Sequence, residues 1–386
     1  MSTFFQSRRP CSMLVAVFWL IALSGMITFY INHDVHLDST SLSTDGKGLK
    51  SNTRHVYQSV AHQIWSNISL VTDITVLNPI IAEALEDIPH TYQLPKIHAV
   101  TYASHGGRDD RFCRAVESSI RNDIDIVILG WDIKWTGLSQ KLQAAHSYVK
   151  SLPPSDIILF TDAYDVLFTD KITNIHEKFL SLSNRTNSKI IFSAECGCWP
   201  HVMEDKNICL FKYPMSPTPY RYLNSGTWIG YAKDSVIMLQ EIIKEAGNDF
   251  LNANDQKLVA DMYINNRNGI KLDFFNEIFQ SMHMTLDPPL PYCNPIQDII
   301  LTSNKTYYNK RTNTIPSVIH FNGGGKTHHL EMESKIWYQD ASYNTKERRE
   351  KLASYLLNVP TYSIGRMRFD VLCGAYVQQM NEKWGL

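Results

Sequence analysis

Apolar residues fall along this chain in two distinct regimes. Residues 11–31, CSMLVAVFWLIALSGMITFYI, run for 21 positions without a charge. From residue 97 onward, short β-branched runs alternate with stretches of helical period. The runs at 97–102, 125–129, 157–161 and 189–194 predict strands, and 110–121, 140–150 and 172–182 predict helices between them. That βαβα order predicts an α/β domain with a doubly wound, mostly parallel sheet. In such sheets ligands gather beyond the carboxyl ends of the strands, so chemistry is expected just after each apolar run. Between the two regimes, residues 39–53 are rich in Ser, Thr, Gly and Lys without an apolar period, the pattern of a flexible stem.

A helix of 21 residues rises about 30 Å, the thickness of a bilayer's hydrocarbon layer. Arg8 and Arg9 precede the run, while His33, Asp34 and Asp38 follow it. The positive-inside tendency then leaves the N-terminus in the cytoplasm and the remainder in the lumen. A cleaved signal peptide is the competing reading, but its apolar region spans about 7–15 residues. Here apolar residues continue past Ala22-Leu23-Ser24-Gly25 as far as Ile31. The expected organisation is a cytoplasmic tail at 1–10, a transmembrane signal anchor at 11–31, a luminal stem at 32–94 and a catalytic domain at 95–386.

Two further features fit a luminal compartment. Asn67, Asn184 and Asn304 each begin an Asn-x-Ser/Thr acceptor for N-glycosylation. Of the 7 cysteines, one lies in the apolar run, leaving Cys113, Cys196, Cys198, Cys209, Cys293 and Cys373. An even number in an oxidising compartment predicts three disulfides, with the pairing left open. The single residue inside Cys196-Gly197-Cys198 is tighter than zinc sites use. The chain of 386 residues carries 37 basic and 38 acidic groups, a net charge of -1. No basic excess points to nucleic acid, so partners are expected through a specific pocket.

Residues 157–168, IILFTDAYDVLF, end an apolar strand directly in Asp162, with Asp165 three residues on. Two carboxylates converging on a turn repel unless a cation lies between them. Mg²⁺ or Mn²⁺ held this way keeps positions for a substrate's phosphates. A solvated turn with one Asp as a helix cap is the plain alternative. An aspartyl-phosphate phosphatase would need an Asp-x-Asp pair, which this spacing does not give. Residues 318–325, VIHFNGGG, carry His320 into a glycine turn followed by Lys326. Glycines such as Gly323 let backbone approach a ligand, and a Lys suits phosphate oxygens. An imidazole beside the carboxylates favours Mn²⁺ over Mg²⁺. His328 and His329 are expected at the surface.

Residues 191–200, IFSAECGCWP, close a strand near Glu195 and present Trp199 on a loop stiffened by Pro200. A Trp beside a carboxylate is a common way to hold a sugar, the indole against C–H faces and the carboxylate on hydroxyls, whereas a lone Trp reads as a core residue. In residues 221–231, RYLNSGTWIGY, Asn224, Ser225 and Gly226 read as a polar turn between apolar stretches. In residues 252–256, NANDQ, Asp255 reads either as a helix cap or as a carboxylate of the sugar pocket.

In this order the motifs resemble the glycosyltransferase domain of the procollagen lysyl hydroxylases, over about residues 97–326. The resemblance implies a GT-A-like fold, a UDP-sugar donor and Mn²⁺, with Mg²⁺ as the alternative. It implies Asp162, Asp165 and His320 as metal ligands, and Glu195, Trp199, Asn224 and Asp255 as the donor-sugar pocket, with Asp255 and Glu195 in the catalytic roles. Gly137-Leu138-Ser139-Gln140-Lys141 resembles the family's segment near the nucleotide, which assigns Lys141 to substrate; Gly323 and Lys326 join it. The family's consecutive aspartates are here Asn252-Ala253-Asn254-Asp255, so Asn254 replaces a pocket carboxylate, a change that bears on sugar or acceptor preference. The expectation is a stand-alone, single-pass type II protein of the Golgi or endoplasmic reticulum membrane. It would move glucose or galactose from a UDP-sugar to a hydroxyl on a protein side chain or glycan. A non-catalytic luminal sugar-binding protein on a degenerate fold is the competing reading, and it predicts lost metal ligands.

Overall fold

Strands whose central members are buried on both faces build an eight-stranded sheet, and the helices between them cover those faces. The computed structural model describes residues 95–104, 109–286, 290 and 292–385. The expected anchor, the stem and Asn67 lie outside them. Among the described residues, no helix is long and apolar enough to cross a membrane.

The order begins β1 (Ile97–Tyr102), α1 (Asp110–Arg121), β2 (Val127–Leu129), α2 (Gln140–Val149), β3 (Ile157–Thr161) and β4 (Val166–Phe168). Next come α3 (Ile172–Thr186), β5 (Ile190–Glu195), β6 (Tyr222–Tyr231), α4 (Ala232–Ala246) and α5 (Asp255–Ile264). They are followed by β7 (Lys271–Asp273), β8 (Phe279–Ser281), β9 (Ile299–Leu301), β10 (Tyr307–Asn309) and β11 (Val318–His320). The last elements are α6 (Lys346–Ala353), β12 (Leu356–Asn358), β13 (Arg366–Arg368) and α7 (Gly374–Lys383), with shorter helical turns in the connections.

The main sheet has the order β13-β12-β2-β1-β3-β6-β5-β7. All its strands share one direction except β6 and β13, so the expected mostly parallel sheet is present. Alternate strand residues feed opposite cores. Ile158 and Phe160 of β3 pack toward α2, α4 and α5, whereas Ile157 and Leu159 pack toward α1, α3, α6 and α7. Trp228 on β6 stacks between Phe160 and Phe192, each ring pair 5.8 Å apart, which locks β6 between β3 and β5. A smaller sheet of order β4-β11-β8 lies beside it.

Cys113, Cys196, Cys198, Cys209, Cys293 and Cys373 form three disulfides: Cys113–Cys373, Cys196–Cys293 and Cys198–Cys209. The first ties α1 to the start of α7; the others staple the loop that leaves β5. One local expectation is corrected. Asn224, Ser225 and Gly226 do not form a turn but lie inside β6, where its register against β5 shifts between Phe192 and Ser193. The irregularity absorbs the polar residues without ending the strand.

Candidate functional site

Two hydrogen-bond ladders build the acidic cluster. Thr161 pairs with Thr227, and the next amide, Asp162 N–H, donates to Gly226 O at 2.6 Å. In the smaller sheet Val166 pairs with His320, and Phe321 N–H donates to Asp165 O at 2.7 Å. Asp162, Asp165 and His320 therefore meet, with one ligand atom from each within 4.8 Å of the others. His320 Nε2 lies 3.6 Å from Asp162 Oδ2 and 3.5 Å from Asp165 Oδ1. It is buried and makes no hydrogen bond.

The chemistry of this cluster suits a divalent cation. Gly226 N–H donates to Asn224 Oδ1, so that oxygen is an acceptor. His320 Nδ1, 3.0 Å from the same oxygen, then carries a proton, which leaves Nε2 to face the carboxylates. Burial lowers the imidazole, but Asp165 and Asp162 outweigh it and raise the group, so Nε2 is protonated between the acids unless a cation takes its lone pair. An imidazole nitrogen beside two carboxylates is a donor set that fits a divalent cation. Gly226 leaves the space: a Cβ there would lie 2.3 Å from His320 Cε1 and 2.5 Å from Asp162 Oδ2. Burial pushes the Asp165 carboxyl up, but His320 and then Lys326 outweigh it and hold the group well below the usual carboxylate range. Lys326 Nζ is 3.3 Å from Asp165 Oδ2. Gly323, at φ +50°, opens the turn that carries Lys326; a Cβ there would meet His283 Nδ1 at 2.6 Å.

Next to the cluster is a buried pocket of acids and amides. Glu195 accepts hydrogen bonds from Asn224 Nδ2 (3.1 Å), Gln256 Nε2 (2.7 Å) and Asn322 Nδ2 (2.7 Å). Burial nonetheless raises its carboxyl to about 7. Lys141 Nζ bridges Asp162 Oδ1 and Asp255 Oδ2, 2.8 Å from each, and Ser225 Oγ donates to the same Asp255 oxygen at 3.0 Å. Burial would lower the Lys141 ammonium, yet Asp162 and Asp255 overcome it and raise the group far above its ordinary value. Lys141 is thus a bridge within the site. The cap of α5 is Asn254, whose side chain accepts from Lys257 N–H at 3.1 Å. That leaves Asp255 to face Lys141, and it occupies the Asn254 oxygen in the cap. Trp199 is 48% exposed, and its carbonyl accepts from Gln256 Nε2 at 3.0 Å.

Gln256 and Asn322 were not singled out from the sequence, although each sits inside a motif that was. Their amides carry no charge and read as ordinary helix and turn residues until the fold places both on Glu195. His329 is a correction. It is buried rather than at the surface, stacks on Phe321 at 4.4 Å, and burial lowers its imidazole to about 4. Asn184, near the end of α3, and Asn304, between β9 and β10, are both exposed.

Fold and site together define an α/β protein with a cation-ready acidic cluster beyond the carboxyl ends of β3 and β5. Residues 93–348 match the family described as the PLOD GT domain, and the chain belongs to that family of glycosyltransferase-type domains. The procollagen-lysine,2-oxoglutarate 5-dioxygenase of Drosophila melanogaster is 32% identical over 230 residues, 56% of this chain and 29% of that protein. The multifunctional procollagen lysine hydroxylase and glycosyltransferase of Caenorhabditis elegans is 28% identical over 254 residues, 61% of this chain and 31% of that one. Uncharacterized protein R699 of Acanthamoeba polyphaga mimivirus is 27% identical over 248 residues, 62% and 48% of the two chains. The chain thus spans about a third to a half of these relatives' length. Among solved structures, galactosyltransferase LgtC with donor and acceptor sugar analogs is 15% identical and covers 66% of this chain and 100% of its own, with a TM-score of 0.36, too low to carry an argument.

Proposed function

We propose that this protein is a divalent-cation-dependent glycosyltransferase that moves glucose or galactose from a UDP-sugar to a hydroxyl acceptor on a protein side chain or glycan. The observation that carries this reading is the convergence of Asp162, Asp165 and the buried Nε2 of His320, which has no hydrogen bond, on one point. Those three residues would hold the ion, with Mn²⁺ preferred for the imidazole and Mg²⁺ as the alternative. A bound cation supplies positive charge against the phosphates of the leaving UDP.

The chain's own residues do the rest. Lys141 and Lys326 already lie against the carboxylates that would hold the ion, where they offer charge to phosphate oxygens. The Gly323 turn gives backbone access beside them. Trp199 offers an exposed indole to the sugar's C–H face, while Asn224, Glu195 and Asp255 address its hydroxyls. In transfer, the bond from the anomeric carbon to the donor phosphate breaks, a bond to the acceptor oxygen forms, and the acceptor's proton leaves. Glu195, with its carboxyl near 7, is suited to exchange a proton close to neutral pH.

The same reading gives a GT-A-type catalytic domain at 95–386, a luminal stem at 32–94, a signal anchor at 11–31 and a cytoplasmic tail at 1–10. The protein would be a single-pass type II glycoprotein of the Golgi or endoplasmic reticulum, with Asn67, Asn184 and Asn304 as glycan acceptors. The test is UDP release by the purified full-length protein from a panel of UDP-sugars, with and without Mn²⁺. Mn²⁺-dependent release from UDP-glucose or UDP-galactose is expected; release from no UDP-sugar with any divalent ion would reject the reading.

A further inference from the structure

Two residues after the exposed Trp199 stands an imidazole with no exposure at all. His201 is 0% exposed. Its Nε2 lies 2.9 Å from Asp261 Oδ1, and its Nδ1 lies 3.4 Å from the Tyr213 hydroxyl. Asp261 belongs to α5, the helix whose first turn carries Asp255 and Gln256. The loop from Trp199 to Tyr213 is thus attached to α5 at two points about one and a half turns apart. Gln256 holds the Trp199 carbonyl at 3.0 Å, and Asp261 holds His201.

Other contacts serve the same loop. Lys257 of α5 pairs with Glu204 at 2.8 Å and with Asp261 at 3.3 Å. The Cys198–Cys209 disulfide closes it, and Arg221 donates to the carbonyls of Leu210, Tyr213 and Pro214. Burial alone would be satisfied by an apolar side chain at position 201 at lower cost, because a buried imidazole must keep its partners. A directional pair gives orientation as well. The Trp199 indole, half in solvent, takes its direction from the backbone beneath it and not from its own burial.

We infer that His201 is a positioning residue: paired with Asp261, it fixes the Trp199 loop on the helix that bears Asp255 and Gln256, and so sets the indole against the donor's sugar. This rests on the reading of Trp199 as part of the sugar pocket. His201 touches no substrate; it acts through Trp199.

The test is a double-mutant cycle on the full-length protein, reading UDP release from UDP-glucose and UDP-galactose in Mn²⁺. His201→Leu and Asp261→Ala should each raise KM for the UDP-sugar about tenfold with kcat within about twofold, the pattern of lost uniform binding. Calorimetric affinity for UDP alone should be unchanged, and Asp261→Asn, which keeps an acceptor, should restore KM. In a Trp199→Ala background, His201→Leu should add less than about twofold. A loss from His201→Leu that is equally large with and without Trp199 overturns the proposal and leaves the pocket reading intact. If Trp199→Ala itself leaves transfer unchanged, the pocket reading fails and the positioning role with it. Should His201→Leu not fold, Asp261→Ala, at a partly exposed position, carries the same comparison.

Discussion

Asn224 Oδ1 lies 3.0 Å from His320 Nδ1, and that contact decides which imidazole nitrogen faces Asp162 and Asp165. The Asn224 amide is itself oriented, its nitrogen donating to Glu195 and its oxygen accepting from Gly226 N–H. Outer partners of metal-binding histidines typically hold about 10–100-fold in affinity. Asn224→Ala is therefore expected to weaken Mn²⁺ binding by about that factor while leaving the three donors in place. Titration with Mn²⁺ monitored by calorimetry measures it, and an unchanged affinity would show that the tautomer is set elsewhere.

Gly226 is fixed by space, not by backbone conformation. Gly226→Ala would drive a methyl group to within 2.5 Å of Asp162 Oδ2 and closer still to His320 Cε1. Overpacking of this kind costs about 1–3 kcal/mol. The variant should unfold at lower urea concentration and bind Mn²⁺ weakly. Parent-like stability and affinity together would mean that the cluster relaxes freely.

Lys141 neutralises two carboxylates at once. Lys141→Met keeps the stem but strands the Asp255 carboxylate, buried to 4% exposure, without its cation. Breaking a buried pair from one side costs about 3–5 kcal/mol. Urea unfolding in chelator should show a loss toward the lower end of that range, because Asp162 is partly solvated. Added Mn²⁺ should recover more stability in the variant than in the parent, since an ion takes over part of the neutralisation. Equal stabilisation of both by Mn²⁺ would place the ion away from Lys141.

Glu333 gives a pH dependence away from the site. Burial raises its carboxyl from 4.5 to about 7, against the opposing pull of Arg114 at 2.8 Å. A raised carboxyl binds its proton more tightly in the folded state. Its stabilising effect is thus complete below about 4.5 and is lost as pH rises through about 7. The stability difference between parent and Glu333→Gln should fall by about 2–3 kcal/mol from pH 4.5 to pH 8. A difference independent of pH would mean that Glu333 stays ionised against Arg114.

The parts of this molecule legible in its sequence were those written in local pattern. Apolar runs ending in Asp162, Glu195 and His320 mark the strand ends, because a short continuous apolar run and a polar stop are visible without the fold. The placement of β6 between β3 and β5 was not legible, since it rests on Trp228 stacking across strands far apart in sequence. Asp255 read equally as cap or pocket carboxylate until Asn254 took the cap. Neutral amides such as Gln256 and Asn322 gave no signal of their own, because their meaning comes from the buried carboxylate they converge on. His329 looked polar and exposed, yet Phe321 covers one face of its ring.

The central claim is that Asp162, Asp165 and His320 hold the ion through which a nucleotide sugar is bound. Calorimetric titration of UDP into the full-length protein, with and without Mn²⁺, tests it most directly, with Asp162→Asn run in parallel. Asp162→Asn removes one charge at nearly constant volume, so the fold is expected to survive. The predicted result is UDP binding by the parent only in Mn²⁺, and none by the variant under the same conditions. Equal UDP affinity of parent and variant in Mn²⁺, or strong binding by the parent in chelator, would contradict the claim.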